Sequence, residues 1–209
     1  IALNGQKGYH GVATISRRPF LDEDRVDYCA KGDSRHVATG IEFAGSRFAL
    51  HNFYVPAGGD EPDPEINDKF AHKLAFLDEM ESRLGDENGA RIVVGDLNVA
   101  PYEHDVWSHK KLLKVVSHTP IECDKLEAVR GGAGLEDVMR RFVPSDEKLY
   151  TWWSYRAKDW SAADKGRRLD HVWATPDLAG AVTRMDVLRD ARGWEKPSDH
   201  APVIVRLEA

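Results

Sequence analysis

The segment "IVVGDLNVAP", residues 92–101, sets Asp96 and Asn98 two positions apart after a β-branched run. On an extended backbone, side chains at that spacing leave one side of a strand. A carboxylate and a carboxamide there suit a hard cation beside a neutral donor to a phosphoryl oxygen. The same letters also suit a turn in which Asp or Asn bonds its own backbone. "KPSDHAPVIVRL" places Asp199 and His200 just before another strand, either as turn chemistry or as an oxygen ligand beside a donor to an anion. "GRRLDHVWAT" buries Asp170 in an apolar strand, where an unpaired carboxylate is costly. A histidine is the economical partner; Arg167 or Arg168 is the alternative.

"HNFYVPAGG" brings Tyr54 to a strand end ahead of a Gly58–Gly59 loop, either overhanging a cleft or packed in a core. "TWWSYRAKDW" mixes Trp152, Trp153, Tyr155 and Trp160 with Arg156 and Lys158. Aromatics interleaved with cations serve stacking on bases or filling a helical gap, though tryptophans are also ordinary core residues.

These residues need elements to hold them. "GVATIS", "HVATGIEFA", "RFALHNFYV", "RIVVGDLNV", "RLDHVWAT" and "APVIVRLE" are β-branched or aromatic runs bounded by turn residues, which predicts six or more strands. Phe70, Leu74, Leu77, Met80 and Leu84 form one helical stripe within Pro64 to Leu84, with Asp63 as its start signal. Shorter helices are expected over Thr119 to Arg130, closed by Gly131 and Gly132, and over Leu135 to Phe142. Buried-looking strands with helices spread through the chain predict an α/β or α+β domain of packed sheets with helices outside.

The 209 residues, 42% hydrophobic, suffice for one domain spanning 1–209. A net charge of −6 offers no global field for nucleic acid, although local basic patches can act within an acidic protein. Cys29 and Cys123 lie far apart and outside any metal spacing, which points to a reducing, cytoplasmic compartment. No apolar run is long enough for a membrane span. The chain opens on Ile1 in a stretch read as a polar loop running into a strand, so it is expected to be the interior of a longer protein.

The motif order is more specific than any one motif. Tyr-Val-Pro, Gly-Asp-Leu-Asn, Trp-Trp-x-Tyr-Arg, Arg-x-Asp-His and Ser-Asp-His-Ala-Pro, from "GYHGVATISRRP" to "SDHAPV", resemble the exonuclease III (abasic-site endonuclease) branch of the endonuclease/exonuclease/phosphatase superfamily. The resemblance implies a four-layer α/β/β/α sandwich of two mostly antiparallel sheets flanked by helices, here without its N-terminal strand and helix. It implies a Mg²⁺-dependent phosphodiesterase, with Mn²⁺ as an alternative ion, that repairs double-stranded DNA at abasic sites and 3′ ends. A monomer with no membrane partner is expected.

Carried over by residue, Asp96 resembles the group that orients or deprotonates the attacking water, and Asn98 a donor to the scissile phosphate. Tyr54 matches the tyrosine near that phosphate. Asp170 and His200 resemble a paired Asp-His, with His200 facing a non-bridging oxygen, and Asp199 a metal-site carboxylate. The expected metal site is therefore Asp96, Asn98, Asp199 and His200. Trp152 and Leu169 match positions lining the pocket for a baseless sugar, Arg156 one that probes the duplex, and Arg17, Arg18 and Lys158 are candidate phosphate contacts.

Ala57 and Arg167 depart from the asparagine and the aromatic of some relatives. The family's principal metal ligand, a glutamate in a Gln-Glu motif upstream of Gly8, is absent from this sequence, as is an asparagine on the first strand. Two other readings follow: a DNA-binding fragment with impaired catalysis, and a relative acting on RNA or small phosphoesters.

Overall fold

The computed structural model describes residues 1–8 and 10–208. Its strands are β1 (Ala2–Gly5), β2 (Gly11–Thr14), β3 (Glu23–Asp24), β4 (His36–Phe43), β5 (Ser46–Tyr54), β6 (Arg91–Asp96), β7 (Glu136–Asp137), β8 (Trp152–Trp153), β9 (Gly166–Arg167), β10 (Asp170–Ala174), β11 (Val182–Val187) and β12 (Val203–Leu207). The α-helices are α1 (Asp68–Asp86), α2 (His109–Leu112), α3 (Pro120–Gly132), α4 (Val138–Phe142), α5 (Trp160–Ala163) and α6 (Pro176–Gly180).

Six strands form the main sheet in the order β3-β4-β5-β6-β10-β7. Its pairs are antiparallel except β5–β6, a parallel pair that needs a crossover, which α1 supplies. Strict alternation divides the sheet into two faces. Phe53, Val93 and Trp173 pack on one side with Phe76, Leu77, Met80 and Leu84 of α1 and Leu126 and Val129 of α3. Phe48, Ile92, Val172 and Ala174 face the other side and meet Val182, Val203, Val205 and Leu207 of the β11–β12 pair. Each large apolar side chain buried in these layers contributes about 1.5–3 kcal/mol.

The second β layer is built of two antiparallel pairs, β1–β2 and β11–β12, each a separate two-stranded sheet. Ala2 and Val12 of the first pair pack on Val37 of β4, with Tyr54 at the margin. The α/β architecture of packed sheets with helices outside is thus present, and the second layer is in two pieces.

Several boundaries differ from expectation. The stripe Phe70, Leu74, Leu77, Met80 and Leu84 is buried as expected. The helix starts at Asp68 rather than Pro64, because Asp63 is spent on a turn through Glu65 N, and Asn67 caps the helix by accepting from Lys69 N. In α3 the glycines lie inside the last turn, and Ala133 is the C-cap. Leu135–Phe142 splits into β7 and α4, because Asp137 pairs with Trp173 of β10 and caps Arg140 N. The stretch read as an opening loop contains β1, paired along its length with β2.

Candidate active site

The two sheet registers that meet at β6 build the site. Tyr54 of β5 and Asp170 of β10 are both directly opposite Asp96, so three adjacent strands end at one level with a phenol and two carboxylates. Close approach of β5 to β6 is possible only because residue 95 is glycine. Gly95 has φ +132°, and a Cβ there would lie 2.0 Å from the Phe53 carbonyl oxygen. The imidazole arrives from the segment before β12, where an isolated bridge pairs His200 with Trp152.

His200 Nδ1 lies 2.8 Å from Asp170 Oδ2, and its Nε2 lies 3.9 Å from Asp96 Oδ2. Histidine, not arginine, is therefore the partner of Asp170. Arg168 is fully buried on Asp105 and Asp137, and Arg167 bonds Val116 O and Ser117 Oγ. Burial, followed by the charge of Asp170, pushes the Asp96 carboxyl up to about 7, against the opposing effects of His200, the Asn98 amide and Lys73. Burial would lower His200, but the hydrogen bond and charge of Asp170, joined by Asp96 and Asp199, raise it to about 9. At neutral pH the ring is a cation whose Nε2–H is the donor on the Asp96 side.

Asn98 takes the turn reading of "GDLN" and keeps its side chain on Asp96. The strand stops at Asp96, and Asn98 adopts a left-handed φ of 54°, so the pair does not share a side through extended backbone. The Asn98 amide donates to Asp96 Oδ1 at 3.0 Å, which is the turn. Its Nδ2 donates to Val55 O and to Asp96 Oδ2, each at 2.9 Å, which brings the carboxamide back to the carboxylate. Both neighbours are acceptors, so the amide nitrogen must face them. In this structure the carboxamide orients Asp96 rather than standing free for a phosphate.

Asp96, Asp170 and His200 can each offer an atom within 4.8 Å of the others, an arrangement able to hold a metal ion. The expected quartet is altered. Asp170 enters the cluster, whereas Asp199 accepts the Trp152 indole N–H at 2.9 Å and Asn98 presents nitrogen to Asp96. The donor chemistry fits a hard divalent cation at the two carboxylates, since a protonated imidazole is no ligand.

Beside the cluster opens a cleft of about 620 Å³. Trp152, Arg156 and Leu169 line it together with Tyr54, Asp96, Asn98, Asp199 and His200. Arg17, Arg18 and Lys158 are exposed and lie outside its lining. Arg167 and Trp107 also form its wall, the guanidinium carbon of Arg167 standing 5.5 Å from the Trp152 ring centre. Trp107 was not singled out by motif, because it comes from the irregular "HDVWSHK" stretch and reaches the cleft through a bridge between Val106 and Arg167. Arg35 supports Tyr54 from behind, stacking 5.0 Å from its ring centre and donating to its carbonyl.

The model of the Endonuclease/Exonuclease/phosphatase family matches residues 2–200. The chain belongs to this family. Exodeoxyribonuclease III of Haemophilus influenzae is 27% identical over 215 residues, covering 96% of this chain and 77% of the relative. An AP endonuclease structure from Archaeoglobus fulgidus superposes with a TM-score of 0.89 at 29% identity, covering all of this chain and 79% of the other. A Neisseria 3′ phosphatase bound to a product DNA hairpin gives 0.87 at 27% identity, with 100% and 79% coverage. Within the family frame, Asp96, Asp170 and His200 sit at the C-terminal edge of β6 and around it, where the cleft opens.

Proposed function

We propose that this protein is a metal-dependent DNA-repair phosphodiesterase that incises duplex DNA at abasic sites and trims 3′ ends. The observation that carries the reading is the meeting of Asp96, Asp170 and a cationic His200 beside a cleft that Asp96 and His200 line together with Trp152, Leu169 and Arg156. Membership of the family, and relatives named as DNA exonucleases and AP endonucleases, support the same reading.

Phosphodiester hydrolysis joins a water oxygen to phosphorus, breaks a P–O bond and builds negative charge on the oxygens between. Asp96, held at both oxygens by Asn98, is placed to accept the water proton. His200, fixed through Nδ1 by Asp170, presents Nε2–H to a non-bridging oxygen. Tyr54 borders the same cleft, where its phenol would stand near the phosphate. Asp96 and Asp170 would hold a divalent ion, Mg²⁺ by their hard oxygen donors, which when bound would neutralise charge developing on the phosphate. Trp152 and Leu169 line the cleft where a sugar without a base would sit, with exposed Arg156 at its wall as the group to meet the flanking backbone. Phosphate and shape contacts make binding structure-specific and salt-sensitive.

Incubating the protein with an abasic-site duplex and Mg²⁺, with and without EDTA, tests this. Strand nicking that EDTA abolishes is the expected result. Duplex binding without EDTA-sensitive nicking would leave a DNA-binding protein in place of an enzyme, and faster hydrolysis of RNA or a small phosphoester would move the substrate class.

A further inference from the structure

Directly behind the Asp96–Asn98 turn lies a buried ion pair that the reaction as described does not use. Lys73 of α1 and Glu122 of α3 are both fully inaccessible to solvent and meet at 2.5 Å. A surface role is excluded, and an apolar pair of similar volume commonly serves stability as well as a buried ion pair does. The question is what the ammonium holds.

Its Nζ donates to the Asn98 carbonyl at 2.8 Å and approaches the Ala57 carbonyl at 3.4 Å, besides Glu122. Three segments that border the site therefore converge on one nitrogen. Asn98 belongs to the turn that carries Asp96. Ala57 belongs to the loop after Tyr54 and lines the cleft. Glu122 accepts from the amides of Ser117 and Thr119 and from the Thr119 hydroxyl, so it fixes the opposite wall, where Ser117 lines the same cleft. The fit around the stem is close: Gly58 has φ +89°, and a Cβ there would come within 2.9 Å of Lys73 Cδ.

Of the three segments, the Asn98 turn is the one that bears directly on Asp96. Asparagine enters the left-handed region readily, and at φ 54° the residue turns its carbonyl and its carboxamide to different partners. Its carboxamide is tied forward to Asp96 and Val55, and its carbonyl is tied backward to Lys73. We infer that Lys73 is a positioning residue: by holding the Asn98 carbonyl, and the cleft wall through Glu122, it sets the direction of the Asp96 carboxylate toward the water to be activated. The inference rests on the catalytic reading of Asp96.

The decisive variant is Lys73→Met/Glu122→Gln, which removes both charges at nearly constant volume and so avoids an orphaned ion. Turnover on an abasic duplex is taken per folded molecule, from far-ultraviolet circular dichroism, at 10 °C and 25 °C, and duplex affinity is measured separately in EDTA. Because misplacement of about 1 Å costs roughly 100-fold, kcat is expected to fall by about 10- to 100-fold while Kd for the duplex stays within about threefold. Glu122→Gln alone keeps the Nζ donor and is expected to fall between the double variant and the wild type.

A double variant with kcat within threefold of wild type overturns the inference, as does an equal loss in kcat and in affinity. Equal losses in the single and double variants also overturn it, since the ion pair and not the hold on Asn98 is then what matters. A double variant unfolded even at 10 °C assigns Lys73 to structure alone. Asp96→Asn is assayed beside them: if it still cleaves, the catalytic reading itself has failed, whereas its inactivity with an active double variant removes only the role of Lys73.

Discussion

Arg168 and Asp170 are two residues apart on neighbouring positions of one chain segment, yet they enter opposite electrostatic worlds. Arg168 is completely buried and balanced: Asp105 and Asp137 both bond it, and Arg140 adds a second cation to Asp105. The two carboxylates of the Asp96–Asp170–His200 group share a single imidazole cation, and Asp96 and His200 line an open cleft. The balanced network carries its own compensation and asks for nothing. The unbalanced one has a deficit of positive charge that a divalent ion and a phosphate together would fill, so one short segment carries scaffold at Arg168 and the candidate site at Asp170.

The largest effect expected from disturbing this contrast is on the unbalanced side. Asp96→Asn should reduce nicking of an abasic duplex below detection while electrophoretic-shift affinity stays near wild type, because phosphate and shape contacts lie elsewhere. Parallel loss of both would remove Asp96 from catalysis. Asp170→Asn is next: without its anion the His200 ring is no longer held protonated at neutral pH, and kcat should fall by about 10²- to 10⁴-fold, the usual worth of a positioned acid or base. NMR titration of the His200 ring should show its pKa dropping from the neighbourhood of 9.

On the balanced side, Arg168→Met should leave buried Asp137 without its guanidinium and Asp105 with Arg140 alone, and cost about 3–5 kcal/mol of stability, read from urea unfolding, with turnover per folded molecule retained. The pH profile comes next in size. The raised Asp96 must lose its proton to act and the raised His200 must keep its own, so kcat/KM at low Mg²⁺ should rise through about 7 and fall above about 9. A bound cation favours the carboxylate form, so saturating Mg²⁺ should carry the acid limb to lower pH; an acid limb indifferent to metal would separate Asp96 from the ion. The smallest effect belongs to the exposed cations. Arg17→Ala or Arg18→Ala should lessen the salt slope of duplex binding by about one and leave kcat alone.

How much of this was legible in the sequence depends on whether neighbours in space were also neighbours in a pattern. Tyr54, Asp96, Asp170 and His200 sit at strand ends marked by their own turn residues, so the motifs reveal them. The stripe of α1 shows by periodicity. What the letters hide is irregular or long-range: the left-handed Asn98, the indole of Trp107 reaching the cleft from a loop, the diversion of Asp199 to Trp152, and the pairing of Lys73 with Glu122 from separate helices. Lys73 lies on the buried stripe of α1, where pattern alone makes a lysine an error. β1 was missed because a four-residue strand containing Asn and Gly carries too little β-branched signal.

The meeting of β5, β6 and β10 with the segment before β12 has a consequence in time as well as in space. Tyr54, Asp96, Asp170 and His200 are widely separated along the chain, so no local hairpin or helix can assemble them. Contacts of long sequence separation slow folding, because the loops between them must first be closed. A chain that has not closed all of these contacts lacks part of the site, so hydrolytic competence should return only with finished topology and activity becomes a report on it.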